Sequence, residues 1–152
     1  HTNDAVGGIT RLMDMGIEPF LVSSSVRAFI AQRLVRRLCP HCKIPAQLEE
    51  RQLREIGFPL EYQNKTWKAV GCVKCRDTGY QGRMAIMEIC MLTPQMQHAI
   101  TSKKNANELR QTALEEGMVG LREDGWRRVS EGLTTVDEVL RVTTTHMQVL
   151  DE

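Results

Sequence analysis

Apolar residues recur at helical spacing over much of this chain and crowd one stretch, Met84–Leu92, interrupted by Glu88. Ala5, Ile9, Leu12 and Met13 share one face of a helix over residues 4–15. Asp4 is placed to cap its start and Gly16 its end. After Glu18-Pro19-Phe20, the triplet Ser23-Ser24-Ser25 offers a second N-cap. Val26, Ile30, Leu34 and Leu38 then return every four residues beside Phe29, which predicts an amphipathic helix running into Cys39. Arg27, Arg33, Arg36 and Arg37 form its polar face.

Beyond Cys42 the pattern shortens. Residues 47–56 read as a brief helix ended by Gly57 and Pro59, and Trp67 to Val70 as a short strand. Asp77 to Gly82 reads as turn and loop. Arg83–Leu92 reads as a strand, since Gly82 precedes it and Pro94 follows, although its methionines are also at home in helices. From Thr93 onward four short helices are expected. Thr93-Pro94 caps the first, and Asn105 to Glu108 forms a capping box for the second, which Gly117 closes. Leu121–Ser130 is the third, and Thr135 opens the fourth with Val136, Val139 and Leu140 facing inward. Leu109, Leu114, Leu121, Trp126 and Val129 supply their core. These elements make an α+β chain.

A chain of 152 residues buries one modest core, or one core and a satellite. Its net charge of +1 argues against a general nucleic-acid binder. With 5% aromatics it is also poorly supplied with stacking platforms for single strands. Nothing resembles a signal peptide or a membrane span. Together with the cysteine usage this points to a reducing, cytosolic setting.

The cysteines carry the chemistry. Cys39-Pro40-His41-Cys42 and Cys72-Val73-Lys74-Cys75 are two knuckles, each able to bring two thiolates to one ion from a tight turn. Thiolate-only tetrahedra favour zinc, and a closed four-ligand shell leaves no position for water or substrate. The expected zinc is therefore structural. The linker, residues 43–71, is longer than the roughly 15–20 residues of the usual two-knuckle pattern. A redox dithiol, a rubredoxin-type iron site and two disulfides are the rivals. Arg36, Arg37, Lys43, Lys74 and Arg76 flank the knuckles and offset thiolate charge, or in part close the preceding helix. His41 reads as an exposed turn residue and Cys90, in an apolar run, as core.

No Gly-x-x-x-x-Gly-Lys-Ser/Thr loop, no Gly-x-Gly-x-x-Gly and no His-Glu-x-x-His occurs in the sequence. No Ser–His–Asp series presents itself. The motifs alone describe a zinc-stapled α+β module.

A resemblance extends this. His1-Thr2-Asn3-Asp4-Ala5, the run from Thr10 to Phe20, and Ala31-Gln32-Arg33-Leu34-Val35-Arg36-Arg37-Leu38 before the first knuckle resemble the bacterial secretion ATPases. So do Thr78-Gly79-Tyr80-Gln81-Gly82-Arg83, Leu121-Arg122-Glu123-Asp124-Gly125 and Gly132-Leu133-Thr134-Thr135, on to Glu138–Thr143. The likeness, to type II secretion and type IV pilus assembly ATPases, covers nearly everything outside residues 44–70. Met84, Ala85 and Met87 depart from the family pattern in ways that bear on packing.

The resemblance implies the C-terminal piece of a hexameric, cytoplasmic motor docked on the bacterial inner membrane, with ATP and magnesium used by the full-length protein. Residues 1–38 would finish a RecA-like core and 39–76 form the inserted tetracysteine zinc subdomain. Residues 77–93 would return to the core and 94–152 form a helical subdomain. Cys39, Cys42, Cys72 and Cys75 match the family's zinc ligands, and His1-Thr2-Asn3 the end of its histidine box, near the γ-phosphate. Walker A and Walker B lie upstream in the family, so this piece alone is expected to be inactive. Expected partners are five further copies and inner-membrane platform proteins, with no nucleic acid. The alternative is a zinc-stapled interaction or nucleic-acid adaptor module, the latter using Arg27, Arg33, Arg36 and Arg37 on phosphates.

Overall fold

The computed structural model describes residues 2–144. Helix α1 (Ala5–Asp14) begins where the Asp4 carboxylate accepts the Gly7 N–H at 2.6 Å. It ends before Gly16, whose φ of +88° lets the chain turn away. Helix α2 (Pro19–Ser25) has proline in its first turn and contains the serine triplet that was expected to precede a helix.

The next element is a strand, not the expected amphipathic helix. β1 spans Ala28–Leu38 and pairs with β4 (Tyr80–Met91) in a two-stranded sheet. A spacing of four is even, so it keeps residues on one face of a strand as well as of a helix. Ala31 and Val35 are buried at that spacing and Leu38 is buried at the strand's end, while Ile30 and Leu34 lie exposed on the face opposite Ala31 and Val35. Arg33 and Arg37 alternate with Arg36 along the strand and so point to opposite sides. The expected arginine face is therefore split, with Arg33 and Arg37 on one side of the strand and Arg36 on the other, and there is no helix end for Arg36 and Arg37 to close.

Between these strands lie β2 (Ile44–Ala46), α3 (Glu50–Glu55) and β3 (Thr66–Lys68). β2 and β3 pair antiparallel, Pro45 opposite Trp67, and the Thr66 hydroxyl donates to the Ala46 carbonyl at 2.8 Å. After β4 come the four expected helices: α4 (Pro94–Thr101), α5 (Ala106–Glu115), α6 (Leu121–Ser130) and α7 (Val136–Thr143). The Thr93, Asn105 and Thr135 side chains each accept the N–H three residues on, as their positions predict. No helix among the described residues is long and apolar enough to cross a membrane.

The chain divides into two compact units. One holds the residues up to Gln32 together with Met87–Leu121. Its core gathers Val6 and Ile9 of α1, Val22 of α2, Cys90 and Leu92, Met96 and Ile100 of α4, and Leu109 of α5. Leu114, expected in this core, is instead 43% exposed. In this unit Glu88 of β4 is buried and accepts the Ala5 N–H at 2.8 Å.

The other unit holds Arg33–Ile86 and the chain from Arg122 onward. Leu53 and Phe58 of the segment inserted between the knuckles pack with Trp126, Val129, Val136 and Val139. The Phe58 and Trp126 rings meet edge to face with centroids 5.2 Å apart. Trp126 and Val129, expected in a core of the four helices, thus pack with the insert and α7. Close approach of α6 and α7 requires Gly125, where a Cβ would stand 2.5 Å from a Val139 methyl.

Candidate metal centre

Pairing of β2 with β3 brings the two knuckles together, because Cys39 and Cys42 lie just before β2 and Cys72 and Cys75 just after β3. The first knuckle hangs from the end of β1, where the Cys39 N–H donates to the Gly79 carbonyl at 2.9 Å. Its turn closes with the Lys43 N–H on the Cys39 carbonyl at 3.2 Å. The second is a 3₁₀ turn over Val73–Cys75, and the Asp77 N–H returns to the Cys72 carbonyl at 2.9 Å. Gly71 opens it at φ +120°, with the Asp77 carbonyl oxygen 2.8 Å from where a Cβ would stand. Only glycine suits that position.

The four sulfurs all lie within 4.8 Å of one another. Cys39 and Cys72 are separated by 3.9 Å, Cys42 and Cys75 by 3.8 Å, and Cys72 and Cys75 by 3.8 Å. A tetrahedron with metal–sulfur bonds of about 2.3 Å has sulfur–sulfur edges of about 3.8 Å. The cluster thus has the dimensions of a single-ion site. Disulfides are excluded, since bonded sulfurs stand about 2.05 Å apart and all five cysteines are free. The thioredoxin-type alternative lacks its helix, because the first knuckle runs into β2 and the second into a loop.

Backbone donors point at the sulfurs. The Gly71 N–H reaches Cys42 Sγ at 3.3 Å, and the Cys72 and Gly79 N–H groups reach Cys75 Sγ at 3.1 and 3.2 Å. Such donors favour thiolate over thiol and orient a ligand set. The Cys42 and Cys75 sulfurs differ in acidity. Desolvation, with hydrogen bonds from neighbouring thiols, pushes the Cys42 thiol up to about 11. Desolvation also acts to raise Cys75, but the Cys72 and Gly79 N–H groups outweigh it and hold it down to about 6. Cys39 and Cys75 are buried, and His41 is exposed, outside the ligand cluster. Cys90 belongs to the other unit. Its burial, then the Glu88 and Asp4 carboxylates, push its thiol up to about 11, which suits an inert core residue.

Sequence reasoning missed what braces this centre. Lys43, read as a charge offset, donates from Nζ to the Gly132 carbonyl at 2.7 Å and stands 4.6 Å from the Trp67 ring centre. Glu138 sits in the first turn of α7, where a Thr cap often receives a carboxylate in return. It turns instead to β1, accepting the Arg36 main-chain N–H at 2.7 Å and the Arg36 guanidinium at 2.8 and 3.0 Å. Arg141 adds bonds of 2.9 and 3.1 Å. The Arg36 guanidinium also covers the Tyr80 ring at 4.1 Å, and the Tyr80 hydroxyl is 3.0 Å from Thr135 Oγ1. The only local signal was an acid three residues after a cap, with nothing to name an arginine 102 positions away. His1, the remaining expected site residue, lies outside the described residues.

Residues 1–141 match the model of the type II/IV secretion system protein family. The chain is 44% identical over 142 residues to a type IV pilus assembly ATPase PilB of Thermus thermophilus, covering 92% of this chain and 16% of that protein. It is 46% identical over 143 residues to a type II secretion system protein E of Pseudomonas aeruginosa, covering 94% of this chain and 28% of the relative. A type II secretion system protein E of Aeromonas hydrophila is 43% identical over 143 residues, again 94% of this chain and 28% of its own length. The chain therefore spans well under a third of the curated relatives it matches.

Proposed function

Because the chain belongs to the type II/IV secretion system protein family, we propose that it forms the C-terminal region of a hexameric ATPase. That motor powers type II secretion or type IV pilus assembly from the cytoplasmic face of the inner membrane. The observation that carries this is the match of 92–94% of the chain to pilus and secretion proteins. Nucleotide, magnesium and the phosphate-binding loop belong to the longer protein, with His1 closing its histidine box beside the γ-phosphate. The chain's first residues would then complete a RecA-like core.

Zinc is the proposed resident metal, held by Cys39, Cys42, Cys72 and Cys75. With four thiolates its shell is closed, so its part is structural. It cross-links the end of β1 to the loop that returns to β4, and so keeps the inserted segment on α6 and α7.

Comparing this chain with the full-length protein tests the motor reading. ATP turnover is expected only in the full-length form, and its absence there overturns the proposal. In the full-length form His1→Ala should depress turnover without unfolding, and unchanged turnover would remove the histidine-box assignment.

A further inference from the structure

Helix α1 has more at its N-terminus than a helix start requires. Asp4 already caps it. Yet Glu88, on β4 and 1% exposed, accepts the N–H of Ala5, the first helical residue, at 2.8 Å. Arg110 of α5 lies 3.4 Å from the other Glu88 oxygen and 3.3 Å from Asp4 Oδ2. Glu88 shares the buried side of β4 with Ile86 and Cys90. An apolar residue there would avoid the desolvation cost of a carboxylate. What a carboxylate adds is direction: it ties the entry point of α1 to one place on β4.

That entry point follows Thr2-Asn3 directly. We propose that Glu88 is a positioning residue for ATP hydrolysis by the longer protein, fixing the start of α1 and with it the point from which Thr2-Asn3 approach the nucleotide. The inference rests on the motor reading above. Hydrolysis of a phosphoanhydride depends steeply on placement, and an error of about 1 Å can cost on the order of 10²-fold in rate.

Three variants of the full-length protein test it. Glu88→Asp keeps the charge but withdraws the carboxylate by one methylene from the Ala5 N–H and from Arg110. Ala5→Pro removes the donor at the helical position that best accepts proline. Glu88→Gln drops the charge and keeps an oxygen that can accept from Ala5. Glu88→Asp and Ala5→Pro should lower kcat about 10- to 100-fold with KM for ATP within about twofold, and Glu88→Gln should stay within about threefold of wild type. A wild-type kcat in Glu88→Asp overturns the proposal, as does a Glu88→Gln loss as deep as that of Glu88→Asp. Should Ala5→Pro fail to fold, the Asp and Gln pair decides alone. Full-length wild type without ATPase activity would instead refute the motor reading; active wild type with unaffected variants refutes this inference only.

Discussion

Lys43 Nζ donates to the Gly132 carbonyl at 2.7 Å, joining the residue after a cluster cysteine to the turn between α6 and α7. The contact bridges 89 positions of sequence and is roofed by the Trp67 ring. Through it, the cysteine cluster and the packing of the last helices become one mechanical problem. Lys43→Met keeps the apolar stem and loses the charged donor, which should cost about 1.5–2 kcal/mol. A melt should show this as a Tm lower by roughly 3–8 °C with zinc content unchanged. An unaltered Tm would show that the contact contributes nothing.

Metal analysis should find about one zinc per chain, and strong chelation should destabilise the unit that holds the cluster. Both tryptophans, Trp67 and Trp126, lie in that unit. Their emission should shift red when zinc is withdrawn, while helicity from the other unit persists. Cys39→Ser opens the shell and should reproduce the effect. A Cys39→Ser protein that keeps zinc and melts normally would refute the structural site.

Glu138 sets an acid limit. Its side chain is 2% exposed. Desolvation acts to raise its pKa, but hydrogen bonds from Arg141 and Arg36 prevail and lower it to about 2. A carboxyl whose folded pKa lies below its unfolded value adds stability above the unfolded value, and that stability is lost as pH falls toward the folded one. The window is therefore from about pH 4.5 down to about pH 2. Since Arg36 and Arg141 are more than half exposed, screening discounts the gain to about 1–3 kcal/mol. Glu138→Gln should flatten stability across that window and lower it at pH 7. An acid unfolding curve parallel to that of wild type would show that Glu138 is not the group responsible.

Gly71→Ala probes the second knuckle. The variant forces a Cβ against the Asp77 carbonyl and strains φ at +120°, and it displaces the N–H that serves Cys42 Sγ. Zinc affinity measured by competition should fall about 10- to 100-fold. Gly57→Ala is the control, since Gly57 also has positive φ but open space around it. It should cost about 1–2 kcal/mol and leave zinc affinity intact.

How much of this was legible beforehand depends on how far each interaction reaches. The caps at Asp4, Thr93, Asn105 and Thr135 were readable because donor and acceptor lie three residues apart. The knuckles were readable because two cysteines in one turn already mark half a site. The stretch from Ala28 to Leu38 was not. Its apolar spacing of four satisfies helix and strand alike, and a strand's hydrogen bonds come from a partner that local pattern does not contain.

By itself, then, the sequence determined the two cysteine knuckles, the starts of the four helices after Thr93 and the family resemblance, all of which depend on residue type at short spacing. Tertiary structure alone decided that β1 is a strand, since only β4 supplies its ladder. It also decided that Leu53 and Phe58 pack on Trp126. The same holds for the buried carboxylates: Glu88 answers to the Ala5 N–H and Glu138 to Arg36, across 83 and 102 positions. A buried charge is tolerable only with its partners in place, and those partners are chosen by the fold.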